Sequence, residues 1–178
     1  MTFCSCFIMS EIVEKKRVCG RPNHLETLRL RQKLRLPGFD YSQPRAYFVT
    51  ICARHRQYLF GEIVDSQMVS NEMAQAVTSF WNAIPDHFPY VTLDAFIIMP
   101  NHLHWILLFE EPVGAWHARP LPVVIGSFKS AVSRLVGSNI WQRSYWERVL
   151  RNQDELNSAR HYIDDNPFYW TKDKEYVT

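Results

Sequence analysis

The segment VTLDAFIIMPNHLHWILLF, from Val91 to Phe109, decides the predicted fold. Its two apolar runs, VTLDAFIIM and HLHWILLF, flank the dipeptide Pro100-Asn101, which is typical of a tight turn. Short runs rich in branched and aromatic residues favour β-strands. The segment therefore predicts a β-hairpin whose second strand begins with His102-Leu103-His104.

Elements on both sides extend this hairpin into an ordered α+β fold. Further strands are predicted over 46–53 and roughly 145–150, and helices over 71–85, 123–136 and 152–166. Residues 54–70 are expected to form a loop with short extended pieces. The order is that of a ferredoxin-like βαββαβ antiparallel sheet with helices on one face, plus a carboxy-terminal helix. In this architecture the first and third strands are central, so His102 and His104 are expected inside the sheet.

The composition limits the class of protein. The chain has 178 residues, of which 47% are hydrophobic and 21% charged, as expected for one globular domain with or without an arm. No apolar run approaches the roughly 20 residues of a membrane span, so no membrane partner is expected. The amino-terminal stretch does not read as a secretory signal, which makes the cytoplasm the expected location. The cysteines lack metal or disulfide spacing and are expected to be free thiols.

Positive charge is concentrated near the amino terminus. The net charge is only +2, yet between Lys15 and Arg35 the single acidic residue is Glu26. We therefore divide the chain into a basic extension, 1–35, and a folded domain, 36–178. The basic run is either a solvated tail or an arm that contacts phosphates. The residues assigned to phosphate contact in the second case are Arg29, Arg31, Lys33 and Arg35.

The pair His102 and His104 is the first candidate for chemistry. Residues i and i+2 of a strand point to the same face, so both imidazoles can reach one metal ion. Two ligands do not complete a metal site, and a pair of polar residues at a strand end is the simpler interpretation. The spacing alone leaves both readings open.

The final helix carries the second candidate. Tyr162 and Asn166 are four residues apart and so share one helix face. A phenol and an amide oxygen there could meet the histidines. Alternatively, Tyr162 is a core aromatic and Asn166 caps the helix before Pro167.

Several segments together resemble a known family. The chain resembles the single-tyrosine HUH transposases, in particular the REP-associated tyrosine transposase branch, from about Leu36 to Pro167. The segments that carry the resemblance are LPGFDYSQPRAYFVTICARHRQYLFGEIV, FIIMPNHLHWILLF, GSFKSAVSRLV, WQRSYWERVLRNQDEL and HYIDDNP. The chain departs from the family after Pro167, where it reads FYWTKDKEYVT.

The resemblance implies roles for individual residues. His102 and His104 match the metal-binding histidines, Tyr162 matches the nucleophile, and Asn166 lies where a polar residue completes the metal shell. The implied cofactor is a divalent ion, Mg²⁺ or Mn²⁺. Lys129, Arg134 and Arg143 fall in segments assigned to DNA contact.

The resemblance also implies an activity. A metal-dependent endonuclease and strand transferase would cut single-stranded DNA at hairpin-flanked sites through a 5′-phosphotyrosine. The expected partner is single-stranded or hairpin DNA, and a homodimer is left open. The alternatives are a ferredoxin-like module that binds nucleic acid without catalysis and a metal-dependent hydrolase that uses water.

Overall fold

The computed structural model describes residues 45–109 and 120–177. The basic extension 1–35, with Arg29, Arg31, Lys33 and Arg35, lies outside these residues. The strands are β1 (Arg45–Cys52), β2 (Gly61–Val64), β3 (Gln67–Ser70), β4 (Val91–Met99), β5 (His102–Phe109) and β6 (Trp146–Leu150). The helices are α1 (Glu72–Asn82), α2 (Ile84–His87), α3 (Pro120–Val136) and α4 (Gln153–Asp165), with short 3₁₀ turns at Arg54–Arg56 and Trp170–Lys172.

The main sheet confirms the predicted α+β fold. Its strand order is β4-β5-β1-β6, and every neighbouring pair is antiparallel. If these four strands are numbered 1 to 4 in chain order, their order across the sheet is 2-3-1-4, which is the ferredoxin-like order. β1 and β5 are central, as predicted. Their register sets Thr50 opposite His104 and Cys52 opposite His102.

Residues 61–70 form a separate hairpin where a loop with extended pieces was expected. β2 and β3 pair around Asp65 and Ser66, whose φ angles are 49° and 62°. Two left-handed residues in a two-residue turn match the right-handed twist of the strands. Gly61 is required here, because its φ is 135° and an added Cβ would lie 2.0 Å from the carbonyl oxygen of Val69.

The two faces of the main sheet are covered by different helices. On one face, Trp105 contacts Trp81 of α1 at a ring-centroid distance of 5.0 Å and Phe128 of α3 at 4.8 Å. On the other face, Ala159 and Ile163 of α4 belong to a buried cluster with Phe48, Ile106 and Leu150. Because side chains alternate along β5, the face that holds α4 is also the face of His102 and His104.

The helix ends follow local chemistry. The Asn71 side chain accepts a hydrogen bond from Ala74 N at 3.0 Å, and Asn152 accepts one from Glu155 N at 2.8 Å. Both are N-caps and lie at the predicted starts of these helices. Pro85 was expected to end the first helix, but α1 ends at Asn82 and Pro85 lies in the first turn of α2. Proline has no N–H and is tolerated where a first-turn donor would be unpaired.

Within residues 45–109 and 120–177, no helix is long and apolar enough to cross a bilayer.

Candidate active site

His102 and His104 form the centre of the candidate site. Both side chains are buried on β5, and their Nε2 atoms lie 2.9 Å apart. Their rings meet edge to face at a centroid distance of 4.4 Å. The strand periodicity therefore brings the two imidazoles together, as predicted.

The Nδ1 atoms are held by polar neighbours. His102 Nδ1 lies 2.9 Å from Oδ1 of Asn101, and His104 Nδ1 lies 2.9 Å from Oγ1 of Thr50. The Asn101 amide donates from Nδ2 to the carbonyl oxygens of Glu175 and Arg56, at 2.6 and 3.4 Å. This fixes Oδ1 toward His102, so Nδ1 of His102 carries the proton and Nε2 of the neutral ring has a lone pair. Such partners orient metal-binding histidines.

Helix α4 brings Tyr162 and Asn166 to the same place. The Tyr162 ring lies 5.2 Å from the His104 ring, measured between centroids. Asn166 is buried and is also the C-cap of α4. Tyr162 packs against Phe48 at 5.8 Å as well. Tyr162 therefore packs in the core and also lies against His104, while Asn166 caps the helix and is buried beside Asp173.

Asp173 is a member of the site that the sequence interpretation missed. Its Oδ2 accepts hydrogen bonds from the Tyr162 hydroxyl and from Nδ2 of Asn166, each at 3.2 Å. Potential ligand atoms of His102, His104 and Asp173 all lie within 4.8 Å of one another. This aspartate lies in the segment after Pro167, where the chain departs from the family pattern. Two histidines with one carboxylate are a common metal-binding combination. That combination was the only feature of the sequence that could have pointed to Asp173.

The segment that carries Asp173 is anchored beside the histidines. Glu175 is buried and forms an ion pair with Arg56 at 2.9 Å. The Glu175 N–H donates to Oδ1 of Asp173 at 2.6 Å, which orients the carboxylate. Trp170 is buried and its ring lies 5.9 Å from that of His102. Asp173 is thus held by several local contacts.

The electrostatics keep Tyr162 protonated in this arrangement. Burial raises the pKa of Tyr162 far above its ordinary value, and the nearby Asp173 carboxylate raises it further. The hydrogen bond from Asn166 opposes these effects but is smaller. A phenol in this position needs a nearby positive charge before it becomes a strong nucleophile.

The residues fit a divalent cation. The facing Nε2 atoms supply two nitrogens and Asp173 supplies a carboxylate. Oδ1 of Asn166 is buried and has no hydrogen-bond partner among the described residues. Such an orphaned acceptor is costly unless a ligand satisfies it. The four groups would form a mixed nitrogen and oxygen shell.

Three of the residues expected to contact DNA, Lys129, Arg134 and Arg143, fall within the described residues. Arg134 and Arg143 are exposed. Lys129 is partly buried, which lowers its pKa, and its Nζ donates to the carbonyl oxygens of Gln142 and Arg143 at 2.6 and 3.3 Å. Within the described ranges, none of the three forms a hydrogen bond with the site residues.

Known proteins resemble the chain in both sequence and fold. No protein-family model matches. An uncharacterized Haemophilus influenzae protein is 34% identical over 83% of this chain and 93% of its own length. A second protein of that organism, described as a "Putative REP-associated tyrosine transposase", is 27% identical over 72% of this chain and 73% of its own length.

A solved structure of a REP-associated tyrosine transposase bound to a REP hairpin has the same fold, with a TM-score of 0.56 and 22% identity. The similarity covers 73% of this chain and 70% of that one. The chain is similar to REP-associated tyrosine transposases in sequence and in fold, in agreement with the resemblance carried by its motifs. A structure described as "a putative transposase from deinococcus radiodurans" matches more loosely, with a TM-score of 0.46 and 17% identity over 74% of this chain and 98% of that one.

Proposed function

We propose that this protein is a REP-associated tyrosine transposase, a metal-dependent endonuclease and strand transferase that cuts single-stranded DNA through a 5′-phosphotyrosine. The observation that carries the proposal is the meeting of Tyr162, His102, His104 and Asp173 on one face of the sheet. The buried Asn166 oxygen, which lacks a hydrogen-bond partner among the described residues, is a further acceptor beside Asp173. The similarity to REP-associated tyrosine transposases supports the same chemistry.

Each residue has a specific role in this proposal. His102 and His104 hold the cation through Nε2, with Asp173 and Oδ1 of Asn166 as the further ligands. The motifs implied His102, His104 and Asn166 as metal ligands, and this proposal adds the carboxylate of Asp173. A bound Mg²⁺ or Mn²⁺ would polarise a non-bridging oxygen of the scissile phosphate. Mn²⁺ is softer than Mg²⁺. Imidazole nitrogens prefer the softer ion whereas carboxylates bind either ion, so this mixed set of ligands favours Mn²⁺.

Tyr162 performs the bond exchange. Its hydroxyl oxygen forms a bond to phosphorus while the bond from phosphorus to the departing 3′-oxygen breaks. The departing 3′-oxygen takes a proton from water, so the products are a 5′-phosphotyrosine and a free 3′-hydroxyl. Oδ2 of Asp173 already accepts the hydrogen bond of the phenol and is placed to hold the proton as it leaves. The phosphotyrosine keeps the energy of a phosphodiester, so another 3′-hydroxyl can displace it.

Single-stranded or hairpin DNA is the proposed substrate. The structurally similar transposase is bound to a REP hairpin, and an unpaired backbone reaches a tyrosine on a sheet more easily than a duplex does. The proposed DNA contacts are Lys129, Arg134 and Arg143 in the folded domain, and Arg29, Arg31, Lys33 and Arg35 in the basic extension.

The polarity of the covalent product tests this chemistry. A DNA hairpin with a single-stranded flank is labelled at either its 5′ or its 3′ end and incubated with the protein and Mn²⁺. On a denaturing gel, the 3′ label should migrate with the protein and the 5′ label should appear on a free fragment. Cleavage without any protein-linked label would indicate a hydrolase that uses water. No cleavage under any metal condition would indicate a binding module without catalysis.

A further inference from the structure

Two aromatic side chains after α4 are exposed to solvent. Phe168 is 67% exposed, the largest exposure of any large apolar side chain among the described residues, and Tyr169 is 42% exposed. Their rings meet edge to face with centroids 4.9 Å apart and an interplanar angle of 89°. Lys172 places its ammonium 5.6 Å from the centre of the Tyr169 ring. A single exposed apolar residue is ordinary, but a paired set beside a cation is a more specific surface.

The backbone attaches this pair to the end of the helix that carries the candidate nucleophile. Phe168 N and Tyr169 N both donate to the carbonyl oxygen of Asp165, at 3.1 and 3.3 Å, so the rings stay against the end of α4. Phe168 follows Tyr162 by six positions in the chain. The next residue after the pair, Trp170, turns inward and packs on His102. The exposed rings and the site therefore belong to one continuous, hydrogen-bonded segment.

The surface is too small for a second copy of the chain. A fully buried aromatic side chain covers roughly 150–250 Å², so two partly exposed rings offer far less than the roughly 800 Å² per partner of a stable interface. One or two flat bases match the size of these rings. Asp164 and Asp165 are exposed at the same end of α4 and disfavour a phosphate over the rings. Lys172 is the group there whose charge suits a phosphate.

We infer that Phe168 and Tyr169 form a stacking site for an unpaired base next to the scissile phosphate, with Lys172 contacting the phosphate of that nucleotide. The inference rests on the proposed function, because it supplies a position for the single strand that Tyr162 cuts. Base stacking on aromatic rings tolerates any sequence and contributes substantially to single-strand binding. The site would hold the flank of the hairpin in line with the tyrosine.

The test is binding of a DNA hairpin with a single-stranded flank, measured by fluorescence anisotropy for the full chain. An abasic residue is introduced at each flank position in turn. Phe168→Ala should weaken binding on the order of ten-fold or more, and Phe168→Trp should restore it. At one flank position, the abasic residue should weaken binding to the wild-type protein by a similar factor. The same abasic hairpin should bind Phe168→Ala about as tightly as the intact hairpin does. Leu135→Ala is the matched control, since Leu135 is 61% exposed at the end of α3.

The outcomes separate this site from the proposed function. Equal affinities of wild type and Phe168→Ala for the flanked hairpin, with no abasic position coupled to Phe168, would overturn the stacking site and leave the cleavage chemistry intact. A change of oligomeric state in Phe168→Ala without a change in DNA affinity would assign the rings to a protein interface instead. Absence of hairpin binding by the wild-type chain would overturn both proposals.

Lys172→Gln should lower the slope of log affinity against log salt by about 0.7, as expected for one single-strand phosphate, whereas Phe168→Ala should leave that slope unchanged.

Discussion

The hydroxyl of Tyr162 donates a hydrogen bond to Oδ2 of Asp173 at 3.2 Å. The same carboxylate lies with His102 and His104 in a group whose ligand atoms are all within 4.8 Å of one another. One side chain thus connects the candidate nucleophile to the candidate metal centre. Binding a cation at this carboxylate would offset the negative charge that now disfavours the phenolate form of Tyr162.

Asp173→Asn should weaken Mn²⁺ binding ten-fold or more, because it removes the only anionic ligand of the group while keeping nearly the same shape. Isothermal calorimetry measures the affinity directly. Asp164→Asn is the matched control, since Asp164 is an exposed acid of α4. Equal losses in both variants would indicate a general effect of charge, and no loss in Asp173→Asn would remove Asp173 from the metal shell.

His102→Ala and His104→Ala should each abolish Mn²⁺ binding and cleavage while leaving hairpin affinity within a few-fold of wild type. The imidazoles hold the cation, whereas the proposed DNA contacts lie elsewhere. Asn101→Ala should give a smaller loss of metal affinity, on the order of ten-fold, because it keeps every proposed ligand and releases only the bonds that orient His102 and Glu175. Unchanged Mn²⁺ binding in both histidine variants would show that the metal site is wrongly assigned.

The sequence predicted those parts of the site that depend on local periodicity. A strand repeat of two unites His102 and His104, and a helical spacing of four unites Tyr162 and Asn166. The placement of the carboxy-terminal helix beside the histidines was implied by the resemblance, and the structure has the Tyr162 ring 5.2 Å from the His104 ring.

Asp173 could not be found in the same way. It lies in an irregular turn after Trp170–Lys172, and its position depends on the Glu175–Arg56 ion pair and on the Asn101 bond to Glu175. No short spacing relates these partners. The β2–β3 turn was missed for a different reason, since Asp65-Ser66 lacks the glycine that usually marks two left-handed residues.

The Arg160–Asp94 pair should stabilise the attachment of α4 to the sheet. Arg160 Nε donates to Oδ1 of Asp94 at 2.8 Å and a terminal nitrogen contacts Oδ2 at 2.5 Å, where the β4 register shifts. Arg160→Lys loses this two-point geometry and should lower the free energy of unfolding by about 1 kcal/mol, a value limited by the exposure of Arg160. Urea unfolding measures it.

The control for that pair is Arg148→Lys, because the Arg148–Glu155 ion pair is a single, longer contact of 3.7 Å. It should change the free energy of unfolding by less than about 0.5 kcal/mol. Similar changes in the free energy of unfolding for the two substitutions would show that the two-point geometry contributes no additional stability.

Deleting residues 1–35 should make the salt dependence of hairpin binding shallower by about 0.7 for each phosphate that the extension neutralises. The reason is the concentration of basic residues before the folded domain, with Glu26 the single acid between Lys15 and Arg35. The measurement is the slope of log affinity against log salt. Replacement of Arg29, Arg31, Lys33 and Arg35 by Gln should reproduce much of the change, and an identical slope in all three proteins would make the extension a passive tail.

The central claim is that Tyr162 forms the bond to DNA, and Tyr162→Phe tests it most directly. The change removes one oxygen and keeps the ring that packs on Phe48 and His104, so the loss of stability should be on the order of 1 kcal/mol. Wild type and the control Tyr145→Phe should both give a protein–DNA band with Mn²⁺ and labelled hairpin on a denaturing gel, and mass spectrometry should place the nucleotide on Tyr162. Tyr162→Phe should give no band while circular dichroism, metal affinity and hairpin affinity stay close to wild type. A covalent band that persists in Tyr162→Phe would contradict the account and move the nucleophile to another residue.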